Sequence, residues 1–169
     1  MSILKKLLLC CVLSLALVHP ALAQEKAKKE RVYHVCSPKD GARDLLACNM
    51  YREARGEGER GMMAVGFVTI NRRGHDSFPP SIKGVVYQKA QFSWTLTKKS
   101  FKVHDIEAWE LARETAKFLL DLNKFPWAYE MLDFTFGSIY YHTIGVKPIW
   151  RHALKYTATI GNHRFYKEK

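Results

Sequence analysis

The chain has 169 residues, 47% of them hydrophobic, and a formal net charge of +11 from 27 basic and 16 acidic side chains. That is one domain's length with enough apolar material for a real core, and the absence of internal repeats and low-complexity tracts excludes a repeat architecture. The basic balance favours anionic partners.

Lys5 and Lys6 lead into the apolar run Leu7 to Val18 and then Ala21-Leu22-Ala23. A basic start, a short apolar run and a small-x-small end read as a signal peptide over residues 1–23, cleaved after Ala23. The run falls short of the ~20 residues that span a bilayer. Cys10 and Cys11 sit inside it and not after the cleavage point, so a lipid-anchored cysteine is not expected. Removing two lysines and no acid leaves a net charge of +9. Export directs that charge toward wall polyanions and lipid head groups and away from nucleic acid, with membrane contact only during export. Residues 24–39 read as a leader, rich in Lys and Glu up to Arg31, and residues 40–169 as one domain.

Cys36 and Cys48 remain after cleavage, and sequence alone leaves a disulfide and two free thiols equally open. Asp40 is expected to cap a helix running to about Arg55, broken by Gly56 and Gly58. A second helix, Glu59 to Arg73, is apolar nearly all round and is expected at the centre of the core. Arg72 and Arg73 suit its C-terminal dipole, and Gly74 closes it. Ser81 caps a short helix to Tyr87. Residues 88–101 read as irregular, holding Phe92 and Trp94. Asp105 caps a helix to about Leu122, with Ala108, Ala112, Leu119 and Leu120 on its inner side, and Pro126 is expected to stop further helix.

Beyond Pro126 the pattern turns aromatic and β-branched over Phe134 to Thr143 and Tyr156 to Tyr166. Gly161-Asn162 fits the two-residue turn of a hairpin. Helices followed by a small sheet make the fold class α+β.

Glu53 follows Leu46 by seven residues, close to two helical turns, so it falls on the stripe that faces the core. Partial desolvation disfavours the charged carboxylate, and a neutral carboxylic acid at neutral pH is what general-acid cleavage of a glycosidic bond requires. The competing reading is a polar helix edge paired with Arg52 or Arg55. Metal chemistry is not expected: no His-Glu-x-x-His or other compact ligand spacing occurs. Cys-x-x-Cys and Gly-x-Ser-x-Gly are also absent. No cofactor is indicated.

Larger words surround Glu53: Glu53-Ala54-Arg55-Gly56-Glu57, then Gly61 to Arg72, Phe78-Pro79, Gly84 to Gln88, Gln91-Phe92-Ser93-Trp94, Tyr140-Tyr141-His142 and Thr159 to Phe165. In this order, from about Leu45 to Tyr166, they resemble the SleB/CwlJ family of cell-wall hydrolases. The resemblance implies a mainly helical, lysozyme-like domain with a small antiparallel sheet near the C-terminus. It also implies cleavage of peptidoglycan glycan strands by lytic transglycosylation, with Glu53 as the single acid and base. Glu57 matches the family's second Glu and is expected to support the site or line the groove. Arg55 is expected to orient a carboxylate or bind a peptide acid, or else to be a surface cation. Phe92, Trp94, Tyr140 and Tyr141 are expected as sugar-binding walls, although strand alternation keeps Tyr140 and Tyr141 from facing one side together. His142, Asn162 and His163 are expected to bond N-acetyl or hydroxyl groups. Two alternatives stand beside this reading. One is a hydrolytic muramidase, glucosaminidase or amidase, and the other is a wall-binding protein without turnover.

Overall fold

The computed structural model describes residues 31–97 and 100–169. The chain separates into two units, Met1–Arg31 and Val32–Lys169. The expected signal peptide and its cleavage point lie outside the described residues. Among the described residues no helix is long and apolar enough to cross a membrane.

The second unit is α+β, as the sequence indicates. Strand β1 (His34–Cys36) leads to helix α1 (Ala42–Ala54), a 3-10 turn (Arg55–Glu57) and helix α2 (Gly58–Arg73). Short helices α3 (Ile82–Val86) and α4 (Ser93–Thr97) precede strand β2 (Phe101–Val103) and helix α5 (Ile106–Leu122). Helix α6 (Pro126–Leu132) then leads to strand β3 (Tyr140–Thr143), a 3-10 turn (Ile149–His152) and strands β4 (Lys155–Ile160) and β5 (His163–Lys167).

Helix α2 is the buried centre. Met62, Ala64, Val65, Phe67 and Val68 are all fully buried. Gly66 lets its neighbours close in, since a Cβ there would collide with Leu119 of α5 and press on Met50 of α1. The side-chain cap expected at Ser81 is made to the Gly84 N–H at 3.0 Å, and that at Asp105 to the Ala108 N–H at 3.0 Å. Gly74 closes α2 by donating its N–H to Ile70 O at 3.2 Å.

Other local expectations give way to tertiary context. Asp40 does not cap α1, whose cap position is Gly41; its carboxylate instead accepts from the Ser37 N–H at 2.9 Å and lies 3.0 Å from His34 Nε2. Pro126 begins a helix rather than ending one. It occupies the first turn of α6, where a missing N–H costs nothing. Residues 88–101 contain α4, and Phe101 starts β2. β2 pairs antiparallel with β1, at the end of the stretch read as a leader. The C-terminal sheet is smaller than expected on one strand, because β3 starts only at Tyr140. The residues before it instead wrap around Asp133, which accepts from the Thr135 N–H and the Gly137 N–H, both at 2.9 Å.

Strand order in that sheet is β3-β5-β4, all antiparallel. The hairpin β4–β5 turns at Gly161-Asn162, with Ile160 opposite His163. Its inner face, with Ile160 and Phe165, packs on Ala64 and Val68 of α2. Cys36 and Cys48 form a disulfide with Cα atoms 5.9 Å apart, joining β1 to α1.

Candidate active site

Glu53 lies in the last turn of α1 and is partly buried. Helical periodicity puts it below Leu46, and the sheet then covers it. Tyr141, on β3, donates its hydroxyl to Glu53 Oε2 at 3.2 Å. Among the described residues Glu53 forms no ion pair. Burial raises its carboxyl above the ordinary value. The Tyr141 hydrogen bond, and then the charges of His163, Arg52 and Arg72, oppose that rise without cancelling it. Tyr141 itself stays a proton donor, because loss of water and the neighbouring Glu53 hold its phenol well above its ordinary value.

The Tyr141 bond has a direct test. Tyr141→Phe removes the contact that favours the ionised carboxylate, so the Glu53 titration is expected to move still higher. Carboxyl-resolved NMR titration reads it. A midpoint that stays or falls would show that the phenol does not reach the carboxylate in solution.

Glu57 sits at the junction of the 3-10 turn and α2, and both of its oxygens are engaged. Oε1 lies 2.9 Å from His163 Nδ1, and Oε2 accepts from the Asn162 N–H at 3.2 Å. Glu57 therefore ties the start of α2 to the hairpin turn. Gly161 permits this in two ways: its φ of 54° suits glycine, and a Cβ there would collide with Glu57 Oε2. His163, expected to contact sugar, is 5% exposed and is spent on this junction. The ring of His163 also meets the edge of Tyr141 at 5.1 Å between centroids, so the Glu57 junction props the group that touches Glu53.

Several other expected site residues belong to the framework. Phe92 and Trp94 are 2% and 5% exposed and lie in the core, which corrects their reading as sugar walls. Trp94 donates its indole N–H to Asn49 Oδ1 at 3.1 Å, and Asn49 in turn donates to Thr69 Oγ1 at 3.2 Å. An aromatic on α4 satisfied in this way supports α1 from behind. His142 is also structural: Nδ1 lies 2.8 Å from Thr143 O, Nε2 lies 3.0 Å from the Tyr166 hydroxyl, and its ring stacks on Tyr166. Asn162 is exposed at the hairpin tip, with its main chain bonded to Glu57 and to the Ile144 N–H. Arg55 is exposed, with its guanidinium over the Tyr51 ring at 5.2 Å, and bonds no carboxylate among the described residues.

Tyr140 and Tyr141 point apart as strand alternation requires. Tyr141 packs on Phe165, whereas Tyr140 approaches Phe78 and Trp150. Both nevertheless border one open cavity of about 470 Å³, together with Arg72, Gln91 and Trp150. Two of these residues escape sequence reasoning. Trp150 lies in the 3-10 turn after β3, outside every recognisable word. Arg72 looks like a cation at a helix end, yet it is 4% exposed and donates Nε–H to Ile139 O at 2.7 Å.

A profile of the Cell Wall Hydrolase family matches residues 56–166, starting just after Glu53. The fold is similar to that of the SleB catalytic domain of Bacillus cereus, with a TM-score of 0.58 and 26% identity, covering 78% of this chain and 95% of that one. It is also similar to the catalytic domain of SleB from Bacillus anthracis, described as a germination-specific lytic transglycosylase. There the TM-score is 0.54 and the identity 25%, covering 76% of this chain and 98% of that one. No curated protein matches in a sequence comparison. With an α+β frame like these catalytic domains and a family profile over most of that frame, the chain belongs to the cell wall hydrolases and is a cell-wall lytic enzyme.

Proposed function

We propose that this enzyme acts outside the cytoplasm on peptidoglycan as a lytic transglycosylase, cutting the bond between N-acetylmuramic acid and N-acetylglucosamine with Glu53 as general acid and then base. One observation carries the reading. Glu53 is partly buried with no ion pair among the described residues, and burial holds its carboxyl above the ordinary value. Glu57 has both oxygens committed to the hairpin, which favours a supporting role over that of a second catalytic carboxylate.

The chemistry balances with one carboxyl group. Glu53 donates its proton to the glycosidic oxygen as the bond to the anomeric carbon breaks, and N-acetylglucosamine leaves as an alcohol. The carboxylate then takes the proton of the muramic acid 6-hydroxyl as that oxygen bonds to the anomeric carbon. The product is a 1,6-anhydro sugar, water is not consumed, and the acid is regenerated. Tyr141 supports the second half, since its hydrogen bond steadies the carboxylate after proton donation, while burial favours the protonated form needed for the first. A hydrolytic muramidase would need a second free carboxylate about 5–9.5 Å away to act as nucleophile or to activate water.

Product mass tests the proposal. Purified peptidoglycan digested with the enzyme, without borohydride reduction, is expected to yield muropeptides ending in anhydro-muramic acid, one water lighter than hydrolytic products. Predominantly reducing muramic acid ends would overturn the transglycosylase reading in favour of a muramidase. Freed stem peptides on intact glycan would overturn it in favour of an amidase.

A further inference from the structure

The cavity beside Tyr141 is bordered by a cation, Arg72, that no carboxylate among the described residues pairs with. Arg72 is almost fully buried, and its guanidinium lies over the rings of Phe78 and Phe92 at 5.3 and 5.2 Å. Nε has an acceptor in Ile139 O, but Nη1 is buried with no hydrogen-bond partner. No carboxylate among the described residues pairs with it. Glu53 feels its charge without touching it. A buried guanidinium is ordinarily matched by an acid or by carbonyl oxygens, because desolvation of an unmatched charge is costly. The other walls offer nothing to neutralise it. Tyr140, Tyr141 and Trp150 are aromatic, Ala153 and Leu154 are apolar, and Gln91 brings a neutral amide.

This arrangement suits a ligand with a flat apolar face and one acidic substituent. The aromatic rings present surfaces for a pyranose, and the guanidinium forms strong, charge-assisted hydrogen bonds to a carboxylate. The two sugars of a peptidoglycan strand differ in that one respect. N-acetylmuramic acid carries a lactyl ether whose carboxyl group is free or extended by the acidic stem peptide, and N-acetylglucosamine carries neither. We infer that Arg72 and the cavity bordered by Tyr140, Tyr141 and Trp150 form a subsite for the carboxylate-bearing substituent of N-acetylmuramic acid. The inference rests on the peptidoglycan reading and adds which sugar lies against Tyr141. Recognition of the acidic sugar here sets the register of the strand over Glu53.

Binding without turnover tests it. Full-length Glu53→Gln protein is titrated calorimetrically with the disaccharide of N-acetylglucosamine and N-acetylmuramic acid, and with di-N-acetylchitobiose. The acidic disaccharide is expected to bind at least about 10-fold more tightly, the scale of one hydrogen bond to a charged group. Arg72→Gln in the same background should abolish the preference, with thermal unfolding checked because Arg72 also bonds Ile139. A second variant leaves Arg72 in place. Gln91→Glu puts a competing carboxylate on the cavity wall and should reduce the preference to within about two-fold, while a neutral Gln91→Asn should keep it. A third ligand, with the lactyl carboxyl joined to a stem dipeptide, identifies the source of the charge. Binding equal to the free acid assigns it to the peptide, and binding confined to the free acid assigns it to the lactyl group; both support the subsite. Equal affinity for the first two disaccharides, or a preference untouched by Gln91→Glu, would overturn it. Neither result depends on whether product ends are anhydro or reducing, so the subsite and the lytic mechanism fail separately.

Discussion

Replacing Glu53 by Gln is expected to lower glycan cleavage by about 10² or more, the usual scale for loss of a general acid. Gln keeps the shape and can still accept from the Tyr141 hydroxyl, but it has no proton to donate to a leaving oxygen. The fold should survive and gain slightly. Burial raises the Glu53 carboxyl in the folded chain, so between the ordinary value and the raised one the folded state binds more protons than the unfolded. Stability therefore falls as pH rises through that window, and the deficit is fully present above it. The Gln variant lacks this deficit. At neutral pH it should melt at the same temperature as wild type or higher, and the difference should close in acid below the ordinary carboxylate range. The activity of the wild type should fall as pH rises through the raised value, because the proton required for the first step is then lost. A Gln variant that melts normally and still cleaves within a few-fold of wild type would show that another group is the acid.

The second large effect is on stability. Reducing the Cys36–Cys48 bond should cost about 3 kcal/mol, the chain-entropy value for a loop of this length; the two cysteines are 12 apart in sequence. β1 is three residues long and is otherwise held by its ladder to β2 and by the contact between His34 and Asp40. The His34 ring also stacks on Trp109, with centroids 4.6 Å apart, so loosening β1 uncovers part of α5. Thermal unfolding with and without a dithiol should differ by about 10 °C, the shift expected for that energy in a domain of this size. The Cys36→Ser/Cys48→Ser double variant should behave as the reduced protein does. Identical melting in both states would show that the bond constrains nothing that the fold does not already hold. Glu53 lies in the last turn of α1, beyond Cys48 at the middle of that helix, and is held there by Tyr141 of β3, so cleavage per folded molecule should change little.

Features that depend on neighbours along the chain are legible in the sequence by itself. A capping side chain needs an N–H three residues on, which is why Ser81 and Asp105 can be read directly. The Gly161-Asn162 turn needs a residue tolerant of positive φ between two strand-like runs. The apolar circumference of α2 can only be buried, and the seven-residue step from Leu46 to Glu53 puts a carboxylate on the inner face. The words around Glu53 carry the family. What only the tertiary structure decided is how groups far apart in sequence divide between site and framework. Aromatic composition is the same for a sugar wall and a core ring. Phe92 and Trp94 became core because Asn49 and Arg72 lie against them, whereas Trp150 faces a cavity. Glu57 and His163, 106 positions apart by their numbers, became a junction because the hairpin lands on the start of α2. Arg72 could not be distinguished from a helix-end cation until the chain had closed over it. Burial and partnership are properties of what packs on a residue, and for these residues the partners come from distant parts of the chain.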